Sequence, residues 1–357
     1  MTNPRDRFDT LAPEFRIRIN GKDAPSKLQA DLISASVFED VDAVGMCTVT
    51  LYGWDGVKME TKWIDDDLFR IGNPVEILMG YQPAPVSLFV GEITGLEPLF
   101  YEGEAPRLLV RGHDKRHRLM RQRKTRTFTN VRDSDIADQV ASQAGLASDV
   151  ESTSTRIPYV IQHNQTDLEF LLERARRIGY EVLVDDRTLR FRKRGNAKQE
   201  LVTLHRDVEL LEFLARLSTL GQTDEVVVRG WDPKEKKQLV GRSKAADNPP
   251  GMGGATSGPG MVKDRFGQGT VVTVQTSIYT QEDADQIASG IFSELALGYI
   301  CADCVCIGEP RLKAGTVVKI DGVGKRFGGS YYITACEHRY GLKHGYRTSF
   351  TARRNAS

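Results

Sequence analysis

The chain has 357 residues, which is too long for one compact core and sufficient for two or three domains. Its 49 lysines and arginines nearly cancel its 48 acidic residues, and this net charge of +1 argues against a protein dedicated to nucleic acid or membrane surfaces. No apolar run is long enough to cross a bilayer, the polar start lacks a secretory signal, and five cysteines, an odd number, fit reduced thiols better than disulfides. We therefore expect a protein that is assembled in the cytoplasm and carries no signal peptide.

Segments of alternating polarity follow a polar lead at residues 1–13, which we expect to be flexible. Phe15, Ile17 and Ile19 alternate with polar side chains, and Gly21 ends this strand. Gly, Pro and Asp residues separate the next predicted strands, which span 32–38, 46–52, 74–81, 87–99 and 106–112. Many short, regularly punctuated strands are typical of a sandwich or closed barrel. The sequence therefore predicts an N-terminal β-barrel domain at residues 14–115.

A basic run follows this domain at His113–Thr127, with the sequence HDKRHRLMRQRKTRT. A nucleic-acid patch is one interpretation, but the run contains no aromatic residue on which bases could stack. We favour the alternative, in which the run is a solvated strand edge or a subunit contact.

An α+β insert is predicted at residues 116–200. Its first helix spans 133–145, with Asp133 or Ser134 as the cap and Gly145 as the end. A strand is predicted between this helix and the next one, at residues 159–162.

The second helix of the insert has the clearest local signal in the chain. Thr166 and Glu169 have the spacing of a capping box, three arginines fall in the last turns, and Gly179 ends the helix. Its apolar stripe is formed by Leu168, Leu171, Leu172, Ala175 and Ile178. Alternation then predicts two strands around a turn at 185–188. Caps, turns and solvent faces explain the polar residues of this unit, so we assign it no catalytic role.

A second β-barrel domain is predicted at residues 201–354, with a helix at 281–297. Its predicted strands span 201–204, 210–220, 224–231, 238–243, 300–307, 316–320, 330–337 and 346–353. The segment at 248–260, NPPGMGGATSGPG, has the composition of a flexible loop. A phosphate-binding loop would need a lysine and a following helix, and we predict neither after Gly260.

Two stretches carry a resemblance to a known family. The first is DLEFLLERARRIGYEVLVDDRTLRF at 167–191, and the second is GEPRLKAGTVVKIDGVGKRFGGSYYITA at 308–335, followed by His338 and by GYRTSFTARR at 345–354. They resemble the middle and the closing domain of phage late control protein D and of VgrG-type baseplate hubs. The N-terminal β-domain matches that family only in its pattern of strands.

The resemblance implies a tail hub fold, mainly β within the α+β class, and a structural role without catalysis. Hubs of this family are trimers in the baseplates of phage tails, type VI secretion systems and extracellular contractile injection systems. Each subunit has two β-barrel domains, so a trimer offers six similar modules to a six-fold inner tube and three-fold symmetry to a spike. The implied partners are further copies of the chain, the inner tube protein, the spike protein and baseplate wedge proteins.

Full-length VgrG continues into an oligonucleotide-fold domain and a needle, whereas this sequence ends after the hub motif. We therefore expect the spike to be a separate chain. We expect no membrane partner, and nucleic acid only as passing cargo.

Four cysteines and a histidine raise the hypothesis of a zinc or iron–sulfur site. They are Cys301, Cys304, Cys306, Cys336 and His338. A strand would place Cys304 and Cys306 on one face and Cys301 on the other, whereas a tetrahedral site needs converging ligands. Cysteine also packs well as a small buried apolar group. We therefore favour core packing and predict no metal, no cofactor and no catalytic residue.

A peptidoglycan-binding or peptidoglycan-degrading tail protein remains the alternative. Acidic residues are abundant, so the sequence leaves a glycosidase-type pair of carboxylates open.

Overall fold

The computed structural model describes residues 12–82, 84–195, 199–232, 235–245, 251–274, 278–342 and 345–357. The predicted flexible lead thus lies outside the described residues except at its last two positions, and Pro13 already belongs to the first strand. The strands are β1 (Pro13–Ile19), β2 (Lys22–Asp23), β3 (Leu32–Asp40), β4 (Met46–Tyr52), β5 (Trp54–Asp55), β6 (Glu60–Thr61), β7 (Pro74–Tyr81), β8 (Val86–Leu99), β9 (Arg107–His113), β10 (Arg123–Val131), β11 (Ala147–Val150), β12 (Ile157–Thr166), β13 (Tyr180–Asp185), β14 (Thr188–Lys193), β15 (Thr203–His205), β16 (Leu210–Leu217), β17 (Glu225–Asp232), β18 (Lys237–Lys244), β19 (Thr270–Val274), β20 (Ile300–Ile307), β21 (Val317–Asp321), β22 (Gly329–Gly341) and β23 (Gly345–Arg354). The helices are α1 (Ser26–Ala30), α2 (Arg116–Leu119), α3 (Asp133–Gln143), α4 (Asp167–Arg177), α5 (Gly258–Phe266) and α6 (Gln281–Leu297).

One long sheet connects the two β-rich ends of the chain. Its order is β16–β20–β23–β22–β3–β4–β9–β8–β7–β1–β2, and β21, which pairs with β15, joins it at β22. Its pairs are antiparallel except for β15 with β21. The predicted fold class, mainly β with helices in an α+β arrangement, is confirmed.

The β22–β23 hairpin is the element shared by the two ends of this sheet. The first part of β22 pairs with β21, and the second part pairs with β3, from Ala335 opposite Asp40 to Gly341 opposite Ser34. A bulge leaves Thr334 unpaired between the two parts. Because an extra residue bends a strand locally, the bulge lies where β22 passes from one partner to the other. The C-terminal motif of the sequence is thus the connection between the β-regions.

Alternating side chains build a separate core under each β-region. Every second residue of β1 is buried, as the sequence predicts, and Tyr346 of β23 reaches into this first core. The core of the second region is formed by strands β15, β16, β20, β21, β22 and β23. Two aromatic contacts extend the hairpin into the N-terminal region: Phe15 stacks on Tyr340 at 5.6 Å between ring centroids, and Tyr81 lies 5.7 Å from Tyr346.

The insert folds around the predicted second helix. Thr166 Oγ1 accepts from the Glu169 amide at 3.2 Å, and the Glu169 carboxylate accepts from the Thr166 amide at 2.8 Å, so the capping box is present. The cap predicted for α3 is wrong, since Asp133 is already helical and Arg132 precedes the helix. The Asp135 carboxylate, in the first turn of the helix, accepts from the backbone amide of Arg132 at 3.0 Å.

β17, β18, β19 and α6 form a layer within the span that the sequence predicts as the second barrel. β18, β17 and β19 make a sheet of their own, and α6 packs on it through Ile287 and Phe292. Alternation identifies a strand but not its partner, so the sequence predicted β17 and β18 without their sheet, and it did not predict β19.

The predicted loop at 248–260 is only partly a loop. Residues 248–250 lie outside the described part of the chain, and α5 begins at Gly258, with Lys263 in its last turn. Our expectation that no helix and no lysine follow Gly260 is therefore wrong. Ser257 Oγ accepts from the Gly260 amide at 3.1 Å, and Pro259 suits the first turn of a helix because its φ is already fixed.

Candidate functional site

The cysteine cluster packs as a core. Cys304, Cys306 and Cys336 are buried, and Cys301 lies on the other face of β20, as predicted. Burial raises the pKa of the Cys304 thiol well above its usual value, and it does the same at Cys306 and Cys336. These side chains therefore pack as small apolar groups, as free cysteine does in other cores. Within the described ranges, no group of three or more His, Cys, Asp and Glu side chains has the arrangement of a metal site.

His338 lies in the same core and is held by polar neighbours. Its Nε2–H donates to the Leu312 carbonyl at 2.9 Å, so Nδ1 is the acceptor for the Tyr346 hydroxyl at 2.8 Å, with Thr348 Oγ1 at 3.1 Å. Burial lowers the pKa of His338 to about 4. The side chain is therefore neutral near pH 7 and connects β22 and β23 to the loop that contains Leu312.

The basic run at His113–Thr127 forms α2 and the start of β10, and acidic residues neutralise much of it. Arg116 and Asp114 are both buried and pair at 2.8 Å. Glu92 accepts from His117 at 2.9 Å and from Arg118. Although burial raises the pKa of Glu92, these hydrogen bonds hold it below its usual value.

The second half of the run is paired with the start of α4. Lys124 and Arg126 contact the two oxygens of Asp167 at 2.6 and 2.9 Å, and Arg123 contacts Glu169 at 3.0 Å. These cations connect β10 to α4. They are therefore committed to internal ion pairs and do not form a free patch for phosphates.

Two arginines near the end of α4 form buried ion pairs. Arg174 Nε lies 2.5 Å from Asp133 of α3, and Arg177 Nη2 lies 2.8 Å from Asp283 of α6. Burial lowers the pKa of Arg177 and raises that of Asp283. The prediction that the polar residues of this unit sit at caps, turns and solvent faces is thus wrong for both arginines. Their partners lie on other elements, so no spacing in the sequence reveals them.

A small charged cavity of about 150 Å³ lies where the insert meets both β-regions. Its lining includes Glu39 of β3, Arg192 of β14 and Lys313 of the loop before β21. Burial raises the pKa of Glu39 to about 6, although Lys313 and Arg116 oppose this shift. Beside it, Glu181 accepts from Arg192 at 2.8 Å and from the Tyr332 hydroxyl. These contacts fix the insert to the second β-region.

Exposed apolar side chains mark two free strand edges. β16 ends the long sheet and exposes Leu211 and Leu214, and β19 ends the smaller sheet and exposes Val272 and Val274. An exposed apolar edge strand is a ready template for another chain. Across the described residues, no helix has both the length and the apolar character that spanning a membrane would require.

Comparison with solved structures places this fold among tail proteins. The 43 kDa tail protein of prophage MuSo2 from Shewanella oneidensis has a TM-score of 0.71 at 14% identity, and the match covers 96% of this chain and 98% of that one. A tail protein from Neisseria meningitidis gives 0.68 at 13% identity, covering 96% of each chain. The E. coli c3393 protein, described as a component of the type VI secretion system, gives 0.61 at 13% identity, covering 96% and 77%.

The resemblance to tail hubs and VgrG-type proteins is thereby confirmed as a likeness of fold. None of the curated proteins compared with the chain matches it. A family model, however, matches residues 9–341, nearly the whole length. The chain belongs to the family described as the Alg8 N-terminal domain.

Proposed function

We propose that this chain is the structural hub of the baseplate of a contractile injection machine. Three copies form a ring that adapts a six-fold inner tube to a three-fold spike made by a separate chain. In this role the chain has no catalytic function and works through its surfaces, assembled into a particle. Its partners are two further copies, the inner tube protein, the spike protein and the baseplate wedge proteins.

The observation that carries this proposal is the pair of β-regions joined by the β22–β23 hairpin. Each region has its own core, and the hairpin fixes their relative position through pairing with β3. Three such chains present six β-regions around one axis. That number suits a six-fold tube, while the chain itself keeps the three-fold symmetry of a spike.

The proteins that share the fold support the same role. One of them is described as a prophage tail protein and another as a tail protein, and the E. coli protein is described as similar in structure to the T4 bacteriophage tail proteins gp27 and gp5. A further match, at a TM-score of 0.53, is described as a Francisella PdpA–VgrG complex. These descriptions name parts of tails and of secretion machines, and a baseplate hub is the role that we propose from them.

A ring also requires two different contact faces on each subunit, since its interfaces are head-to-tail. The apolar edge of β16 supplies one such face. An obligate interface of this kind buries more than about 2,000 Å².

The test is to co-express the chain with a candidate spike protein, chosen from the genes adjacent to its own, and to measure the mass of the purified complex by light scattering. We expect three hub chains per spike trimer. Another ratio, or the absence of a complex, contradicts the proposal. A free monomer does not, because the ring closes on the spike.

A further inference from the structure

We propose that the groove between β12 and α4 binds an extended segment of a partner protein that combines apolar side chains with an acidic residue. We call it the β12–α4 groove. It shares no residue with the β16 edge that we propose for the ring, so it defines an interaction surface beyond the hub role.

The β12–α4 groove has a volume of about 510 Å³. Tyr159 and Ile161 of β12 line one side, and Val274 of β19 and Tyr279 line another. Tyr159 is 42% exposed, Ile161 45% and Val274 74%. Apolar side chains from two separate sheets thus converge on one concave surface, which is typical of a binding groove and differs from scattered surface residues.

The lining of the groove includes a buried donor for which the described residues supply no acceptor. Arg174 lines the groove and is 7% exposed. Its Nε is paired with Asp133, but within the described part of the chain Nη2 has no hydrogen-bond partner. A buried polar atom of this kind normally has a partner, and the residue that carries it lines the groove. A ligand with an acceptor oxygen would satisfy it.

The donors of the lining favour an acidic acceptor. Arg174 and Arg177 line the groove, and each is paired with an aspartate that is absent from the described lining, Asp133 and Asp283. Glu173, a carboxylate of the described lining, already accepts from the Gln165 side-chain amide at 2.6 Å. A carboxylate on the ligand would therefore face guanidinium groups, and charge-assisted hydrogen bonds of this type are stronger than neutral ones.

The backbone of β12 favours a ligand in extended conformation. Among the described residues β12 pairs with β10 and with no other strand, so no described strand takes up the main-chain groups of its second edge. An extended peptide adds to such an edge through main-chain hydrogen bonds, and its alternate side chains enter pockets. Tyr159, Ile161 and Val274 then contact its apolar side chains, and Arg174 contacts its acid.

The test is to pan a phage-displayed library of random dodecapeptides against the immobilised full-length chain. The enriched peptides are synthesised, and their Kd values are measured by fluorescence anisotropy. We expect sequences in which apolar residues alternate and an Asp or Glu is present. Changing that acid to its amide should raise Kd by about tenfold or more, as expected for a lost charge-assisted pair.

Variants then locate the peptide. Ile161→Lys should raise Kd about tenfold or more because it puts a long charged side chain into the apolar wall. Val86→Lys is the matched control, because Val86 is 48% exposed on β8 of the N-terminal region, and it should bind as the wild type does. Arg174→Lys keeps a cation beside Asp133 but removes the second donor arm, and it should also weaken binding. Hydrogen exchange should show the amides of 157–163 protected by the peptide.

Three results overturn the proposal. One is equal affinity for the wild type and Ile161→Lys, and another is the absence of an enriched acidic and apolar sequence. The third is self-association that protects 157–163 and is abolished by Ile161→Lys, which would assign the groove to a second copy of the chain.

Discussion

His338 shows how a single buried side chain makes the stability of this fold depend on pH. Burial lowers its pKa to about 4, whereas an unfolded chain restores a value near 6.5. Between these values the unfolded state binds a proton that the folded state does not, so stability rises with pH across this window. The contribution is complete above pH 6.5 and is lost as pH falls towards 4.

Because of this residue, we expect the free energy of unfolding to decrease by roughly 3 kcal/mol when the pH is lowered from 7 to 4. Urea denaturation at several pH values measures it. In His338→Gln the slope due to this residue should disappear, while His163→Gln, a change at an exposed histidine, should keep the wild-type slope. A slope in His338→Gln equal to that of the wild type would show that other groups cause it. Glu39 acts in the opposite direction, because its raised pKa favours the folded state at lower pH.

The buried thiols lead to a second prediction at this scale. Cys304, Cys306 and Cys336 lie in an apolar core that disfavours their thiolates, and metal binding requires thiolates. Protein purified without chelators should contain no stoichiometric zinc or iron by mass spectrometry of metals. One metal per chain that is lost in Cys304→Ser, but retained in Cys47→Ser, would contradict core packing.

The helix α4 is the element whose cap and stripe can be tested separately. Thr166→Ala removes the capping hydrogen bond to the Glu169 amide and should cost about 1 kcal/mol. Leu171 is fully buried, and Leu171→Ala should cost about 2–5 kcal/mol because it leaves a cavity. Thr129→Ala, at an exposed position of β10, should change the unfolding free energy little. Equal, small effects of the first two changes on denaturation would contradict this structure of the insert.

The crossing of α4 and α6 depends on a glycine in the middle of a helix. A Cβ added at Gly290 would lie 2.7 Å from the Arg177 carbonyl oxygen and 2.8 Å from the Gly179 nitrogen. Alanine normally stabilises a helix interior relative to glycine by about 1 kcal/mol. Here the contact with backbone atoms reverses the sign, because the two helices would have to separate.

Gly290→Ala should therefore lower the free energy of unfolding by about 1–3 kcal/mol, the usual cost of overpacking. Ser289→Ala is the control at the neighbouring exposed position, and it should be neutral or slightly stabilising. Denaturant titration of both variants measures the difference. A Gly290→Ala variant more stable than the wild type would show that the helices do not approach so closely.

Local signals in the sequence predicted these elements well, whereas long-range partners could not be predicted. The capping box, the left-handed stop at Gly179 and the alternation of β1 depend only on neighbouring residues, and all are present. The helix α5 was missed because glycine and proline dominate its start. The sheet of β17, β18 and β19 could not be predicted because alternation does not name a partner.

The residues of the β12–α4 groove could likewise not be brought together from the sequence. The strand of Tyr159 and Ile161 was predicted, but its exposed side could not be matched with Val274 of a distant strand. In the sequence, Arg174 has the position expected of a surface cation near the end of a helix, so nothing there indicates that it is buried. Only the fold brings its guanidinium group into a buried pair with Asp133.

At the scale of the whole molecule, the junction of β22 with β3 makes the two β-regions one mechanical unit. Seven residue pairs join the two strands, and Tyr346 of the hairpin is part of the N-terminal core. Loss of the N-terminal core would therefore expose one edge of β22 and an aromatic residue of β23. We infer that the two regions stabilise each other and unfold together.

Phe15→Ala tests this coupling because Phe15 is buried in the N-terminal core and stacks on Tyr340 of β22. The change should cost about 3–5 kcal/mol, as for other buried aromatic residues. Hydrogen exchange should then show protection falling by similar amounts in β1 and in β20, which lies beyond the hairpin in the second region. In Leu239→Ala, a change in the separate core under α6, protection should fall mainly in β17 and β18. If Phe15→Ala lowered protection only in the N-terminal strands, the β-regions would unfold independently, and a ring of six fixed modules would need its partners to align them.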